Sequence, residues 1–264
     1  MKEEKRFLVD VGMGDLPFPI KALSRSHPEG QPTIANISIN ARIMHEFEAG
    51  WIDRFIQIVH RHREKIGPQT LRENIGAYLK ELNATMVKIS FDFPFFVEKI
   101  TPVVKEKCLV KYLCNYSAKI PSIDDSPKVF FNIKVPCITT YPNSDPGKPG
   151  GLFGQLSTVA IETESKKDFY AEDLVELVDR HALTPIFSFL TEKDQQYVIN
   201  KIHSEKKTSV EMVDDIKDEL ARNKALAFYS VRCHNYGLLH SYNTVIGTEK
   251  SIWAPFSDYE DDEI

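Results

Sequence analysis

Hydrophobic side chains along this chain switch between a period of two residues and a period of 3.6. Residues 33–44 (TIANISINARIM) place Ile34, Ile37, Ile39 and Ile43 in an imperfect alternation that predicts a strand. From Ala49 onward Trp51, Ile52, Phe55, Ile56 and Val59 recur at helical spacing, and the basic run at 60–65 suits the C-terminal end of a helix dipole. Gly67-Pro68 stops that helix, and Thr70 is expected to cap a second one over residues 71–82. Alternation returns in residues 86–100, where Val87, Ile89, Phe91 and Phe93 share a face and Pro94 marks an edge or a bulge. Residues 108–120 pair with it as a further strand. The polar, proline-bounded stretch 121–127 (PSIDDSP) reads as a linker.

The second half repeats this order. Val129, Phe131, Ile133 and Val135 alternate with Phe130, Asn132 and Lys134, and a second β-type run covers 156–162. Between them lies a loop carrying Pro142, Pro146 and Pro149 with several glycines, which cannot extend either strand. A long loop on a rigid hairpin is a common place to hold a site, although a surface loop without chemistry has the same pattern. Helices are expected over 170–182, 192–202 and 209–222, and strands over 226–232 and 243–247. Residues 1–31 are expected to form an irregular arm, extended at 15–20 by its prolines. The acidic stretch 257–264 (SDYEDDEI) is expected to fray. The expectation is an α+β fold of two similar units, 1–124 and 125–264, with antiparallel sheet and helices packed on one face.

Composition narrows the function classes. The 264 residues are 42% hydrophobic, enough to bury one large core or two smaller ones. Charged residues make up 27% and the net charge is −5, without a basic stripe, so no nucleic-acid partner is expected. No apolar run reaches the roughly 18 residues of a membrane span, and residues 1–12 lack the apolar segment of a signal peptide. Cys108, Cys114, Cys137 and Cys233 show no CxxC spacing and read as reduced, buried small hydrophobes, which suits a cytoplasmic protein.

Several stretches, in shared order and spacing over nearly the whole chain, resemble the type IB GTP cyclohydrolases, which open pterin and folate synthesis. Residues 12–20 (GMGDLPFPI) are similar to the family's N-terminal arm. Residues 48–55 (EAGWIDRF) lie over a Gly-x-His-Met-Ser-Arg motif, and 93–96 match a Pro-Phe-Phe segment. Residues 135–144 (VPCITTYPNS) lie over Val-Thr-Ser-Leu-Cys-Pro-Cys-Ser, and 234–242 (HNYGLLHSY) over Glu-Asn-Phe-Glu-Ser-Ile-His-Asn-His. The resemblance implies tandem tunnelling-fold (T-fold) units, a homotetramer, and hydrolysis of GTP to 7,8-dihydroneopterin triphosphate and formate. It also implies a divalent zinc or manganese ion, because bulk water is too weak a nucleophile for the purine ring at neutral pH.

The departures fall on the implied site. Tyr141 stands at the cysteine ligand position and Asn143 at the next cysteine; a neutral phenol and an amide are poor substitutes for a thiolate. The loop 150–154 (GGLFG) lacks the family's histidine, the expected glutamate falls near Pro185, and Trp51 replaces the first motif's histidine. Of the closing histidine pair His240 remains and Tyr242 replaces the second, while the guanine-gripping carboxylates fall on His234 and Gly237. One retained ligand does not make a metal site. No cofactor is therefore expected, and Tyr141 and His240 are expected to meet at a cleft without a metal. A relocated site using Cys137, Cys233, His234 and His240 is the alternative, and a purine or pterin the expected small-molecule partner. His60, His62 and His203 are expected to be solvated, and His181 to rest on a helix end.

Overall fold

The computed structural model describes residues 8–44, 50–122 and 125–250. The acidic stretch 257–264, residues 1–7 of the arm, and Glu48 and Ala49 of the 48–55 motif lie outside them. Strands β1 (Leu8–Ala22) and β2 (Gln31–Met44) lead into helices α1 (Trp51–His62) and α2 (Pro68–Glu81), then β3 (Ala84–Ile100) and β4 (Lys107–Ile120). The second half runs β5 (Lys128–Thr140), β6 (Gly154–Ser165), α3 (Ala171–His181), β7 (Thr184–Pro185), α4 (Glu192–Ser204), α5 (Ser209–Arg222), β8 (Leu226–Asn235) and β9 (Thr244–Glu249). The strands form one antiparallel sheet in the order β1-β2-β3-β4-β5-β6-β8-β9, with β7 pairing β5. The two halves join through β4 and β5, in register from Leu113↔Lys134 to Lys119↔Lys128.

Period two explains the sheet's two faces. One side of each strand carries the core, with Ile37, Ile89, Phe91, Tyr116, Phe131 and Ile161 almost fully buried. Helix α2 packs there against β3, β4 and β5, and α5 against β8. Phe93, Tyr116 and Phe131 form an aromatic row across three strands, with centroids 5.3 and 4.8 Å apart. Truncating such a ring to alanine typically costs about 3–5 kcal/mol. The other face is polar, and Asn36, Ser38, Asp92, Asn115, Asn132 and Glu162 line a shallow concavity of about 630 Å³ on it.

Two expectations need correction, and the edge expected at Pro94 is found. Residues 8–22 are not an irregular arm but the long edge strand β1, bulged between Met13 and Leu16. Pro17 and Pro19 are tolerated because, among the described residues, β1 has a ladder partner on one side only. Thr70 does not cap α2: the helix begins at Pro68, whose missing N–H costs nothing in a first turn, with Gly67 at the cap position. Pro94 lies within β3 just beyond the last β2 partner, Asp92, and the Gln31 side chain continues the ladder by bonding both the Phe96 carbonyl (2.8 Å) and the Phe96 amide (2.7 Å).

Candidate active site

Strand β5 carries the chain from the shared sheet to Tyr141. Its end is clamped at Thr140, whose amide donates to the Lys207 carbonyl (2.8 Å) while its hydroxyl accepts from the Lys207 amide (2.7 Å). The following loop turns at once, with Ser144 donating through its amide and hydroxyl to the Tyr141 carbonyl. Gly150 and Gly151 take φ of +93° and +63°, the left-handed region that favours glycine. The loop returns so that the Tyr141 amide donates to the Phe153 carbonyl (3.0 Å) and the two rings stack at 4.9 Å. Tyr141 is buried by this stack. His203, exposed as expected, also meets the Leu152 carbonyl through Nδ1 at 2.6 Å and pins the loop to α4.

The second wall comes from β8. Asn235, at its end, is buried and accepts from the Ser157 hydroxyl (2.7 Å) while donating to Ser209 Oγ (3.0 Å) and Thr244 Oγ1 (3.3 Å). Thr139 and Gln155 extend the chain of polar groups into β5 and β6. Sequence reasoning passed over Asn235; its signal was a polar residue on the inward parity set by Tyr229, Val231 and Cys233. Beyond it residues 236–243 fold back tightly over Gly237. A Cβ there would lie 2.5 Å from the His240 carbonyl oxygen and closer still to that of Tyr242. His240 is exposed on this turn, its ring stacked on Tyr242 at 5.0 Å and 9°.

Tyr141 stacks on Phe153 and His240 on Tyr242, and no direct hydrogen bond joins the two among the described residues. His234 lies on the polar face of β8 opposite Thr158 and Val245; burial, then Lys134 and Arg232, holds its imidazole below the ordinary range. The position of the expected glutamate does approach the site, since Pro185 pairs with Cys137 and Thr184 with Ile138, but it brings no carboxylate. Cys137 is buried against Met212 (Sγ to Sδ 3.8 Å), and burial drives its thiol well above the ordinary value. Burial pushes the Cys233 thiol up to about 11. All four cysteines are free and buried, as expected.

His62 differs from expectation: it turns inward, with a buried Nδ1 lacking a partner and a pKa lowered by desolvation. His181 lies at the end of α3 as expected and also bonds Glu219 Oε2 at 2.8 Å. The donor set does not suit the divalent ion that the resemblance implies. Protonated buried thiols are poor ligands, the Tyr141 phenol is committed to a stack, and no three His, Cys, Asp or Glu side chains gather into a metal-holding group among the described residues.

Comparison with known proteins places this geometry. The family model described as GCHY-1, type I GTP cyclohydrolase folE2, matches residues 2–245. GTP cyclohydrolase FolE2 of Citrifermentans bemidjiense is 27% identical over 241 residues, covering 91% of this chain and 89% of that protein. FolE2 of Thermosipho melanesiensis is 27% identical over 248 residues, 93% of each. Among solved structures, the uricase from Bacillus fastidious superposes with a TM-score of 0.57 at 11% identity, over 91% of this chain and 93% of that one. The uricase from Arthrobacter globiformis gives 0.53 at 8%, over 96% and 97%. At such identities the structural likeness shows the fold alone, an α+β tunnelling fold. With the family model matched across the described fold and both walls of the site, the chain belongs to the type I GTP cyclohydrolase FolE2 family.

Proposed function

We propose that this chain is an altered member of the FolE2 family, one that accepts a purine or pterin ring but is impaired in metal-dependent hydrolysis of GTP. Gly237 carries the reading. At the position where the resemblance implies a carboxylate gripping the guanine edge, the backbone closes so tightly that no side chain fits without moving the loop. The change is therefore in the shape of the site as well as its residue types. Tyr242 supplies exposed aromatic surface where the resemblance implies an imidazole donor, and the buried Tyr141 ring stands where it implies a thiolate. The exposed His240–Tyr242 pair suits a planar heterocycle better than a tetrahedral ion.

The chain's own groups can still position a ring. The exposed His240 imidazole can accept or donate one proton, but a single base without an activating partner is a weak substitute for a metal-activated water. Tyr236, Leu238, Leu239 and Tyr242 are exposed around it, an apolar cluster that favours a covered site in an assembly of several copies, such as the family's homotetramer. The same cluster favours a second reading, a non-catalytic purine-, pterin- or partner-binding homologue.

Incubation with GTP and either zinc or manganese, followed by formate release and pterin fluorescence, tests the reading beside calorimetric titration with GTP and with a dihydropterin. Saturable binding of one of these rings with little or no formate is expected. Formate release at a rate matching a FolE2 relative assayed alongside would overturn impairment, and absence of binding would favour the partner-binding homologue.

A further inference from the structure

Ala160 presents only a methyl group in the middle of the polar face of β6. Across the strands it is level with Lys134 on β5 and Arg232 on β8. Along β6 its neighbours on the same face are Thr158 and Glu162. Strands lie about 4.8 Å apart and alternate residues about 6.6 Å apart, so four longer side chains surround a floor one methyl deep. The backbone positions of Lys134 and Arg232 are roughly 10 Å apart and those of Thr158 and Glu162 roughly 13 Å, room for one flat ring system. Arg232 leans away over β9, where a Cβ built on Gly247 would meet its Cγ at 3.1 Å, and it is already engaged. Lys134, Glu162 and Asn132 also line the shallow concavity of this face, so the hollow opens into it.

Two walls of the hollow carry opposite charges at right angles: Lys134 stands across the strand from Ala160, and Glu162 along it. Neither makes a hydrogen bond or a close ion pair among the described residues. Lys134 is exposed and Glu162 half-buried; burial raises the Glu162 pKa and the charge of Arg232 opposes that rise. A carboxylate accepts two hydrogen bonds side by side, and an ammonium only donates. The pair complements a ring edge on which an amino group and an N–H lie next to an oxo group, as in guanine and the pterins. A hypoxanthine ring, which lacks the amino group, leaves one carboxylate oxygen without a partner.

We propose that Glu162 and Lys134 read this edge of the bound ring, with Ala160 as the floor on which the ring lies. Glu162 thereby supplies from β6 a carboxylate that positions 234 and 237 do not carry. The inference rests on the ring-binding reading above and adds the residues that select the ring.

Calorimetric titration of the intact protein with GTP and with inosine triphosphate, which lacks the 2-amino group, tests it. The parent is expected to bind GTP about tenfold or more the tighter of the two. Glu162→Gln keeps the shape but turns one acceptor into a donor, and is expected to bring the two affinities within about threefold of each other. Ala160→Leu fills the floor and is expected to weaken both by about tenfold or more without lowering Tm. Equal affinities in the parent, or a preference kept in Glu162→Gln, would overturn the edge reading while ring binding stands. Unchanged binding in Ala160→Leu, as for a ring held against His240 and Tyr242 instead, would overturn it as well. Absence of binding of either nucleotide and of a dihydropterin by the parent would remove the ring-binding reading itself, and this inference with it.

Discussion

Asp194 shows how much one side chain decides. It is fully buried, and its carboxylate accepts from the amides of Val103 (2.8 Å) and Val104 (3.1 Å) and from the amide and hydroxyl of Thr191. It thereby closes the capping box of α4 and ties that helix to the β3–β4 turn. Burial opposes ionisation, but the hydrogen bonds outweigh it and hold the pKa at about 2. A folded value below the ordinary one of about 3.9 stabilises the fold above that pH, and the contribution is lost as pH falls from about 4 to 2. Asp194→Asn should therefore lower Tm by several degrees at pH 7, with the gap to the parent narrowing below pH 4. An unchanged Tm at pH 7 in a thermal melt would contradict this. At the site, Tyr141→Cys alone should restore no GTP turnover, since Trp51, Gly237 and Tyr242 remain; formate release from that single change would show that one position was limiting.

Asn235 joins four elements, β6, β8, β9 and the start of α5. Replacing it with Ala leaves buried hydroxyls on Ser157 and Ser209 short of a partner, at a cost of about 1–3 kcal/mol. Urea unfolding should record that loss, with faster hydrogen exchange in 236–243; a loss below about 0.5 kcal/mol would mean that the network is not holding the loop. Elements of this kind were only half legible in the sequence. Period two exposed β3 to β6 because each buries one face, as Phe131 and Ile133 do. The same rule hid β1, whose Pro17 and Pro19 suggest an arm until a free edge explains them. The positions that the resemblance assigns to metal ligands were legible in the sequence, but the steric closure over Gly237 and the stacks of Tyr141 on Phe153 and of His240 on Tyr242 were not, because they depend on backbone turns without a periodic signature.

For the whole molecule, the described residues of one chain leave two sheet edges, β1 and β9, and an exposed apolar loop at the site. Open edges of this kind are usually managed by pairing or cover. Light scattering at micromolar concentration should therefore report a homo-oligomer, a tetramer by the family's pattern, and a stable species near 30.2 kDa would contradict it. The central claim is that the family's fold persists while its metal site does not. Elemental analysis after saturation with zinc or manganese and exhaustive dialysis tests it most directly. The account predicts well below one ion per chain with either metal; about one ion per chain, retained through dialysis and lost in a His240→Ala variant, would contradict it.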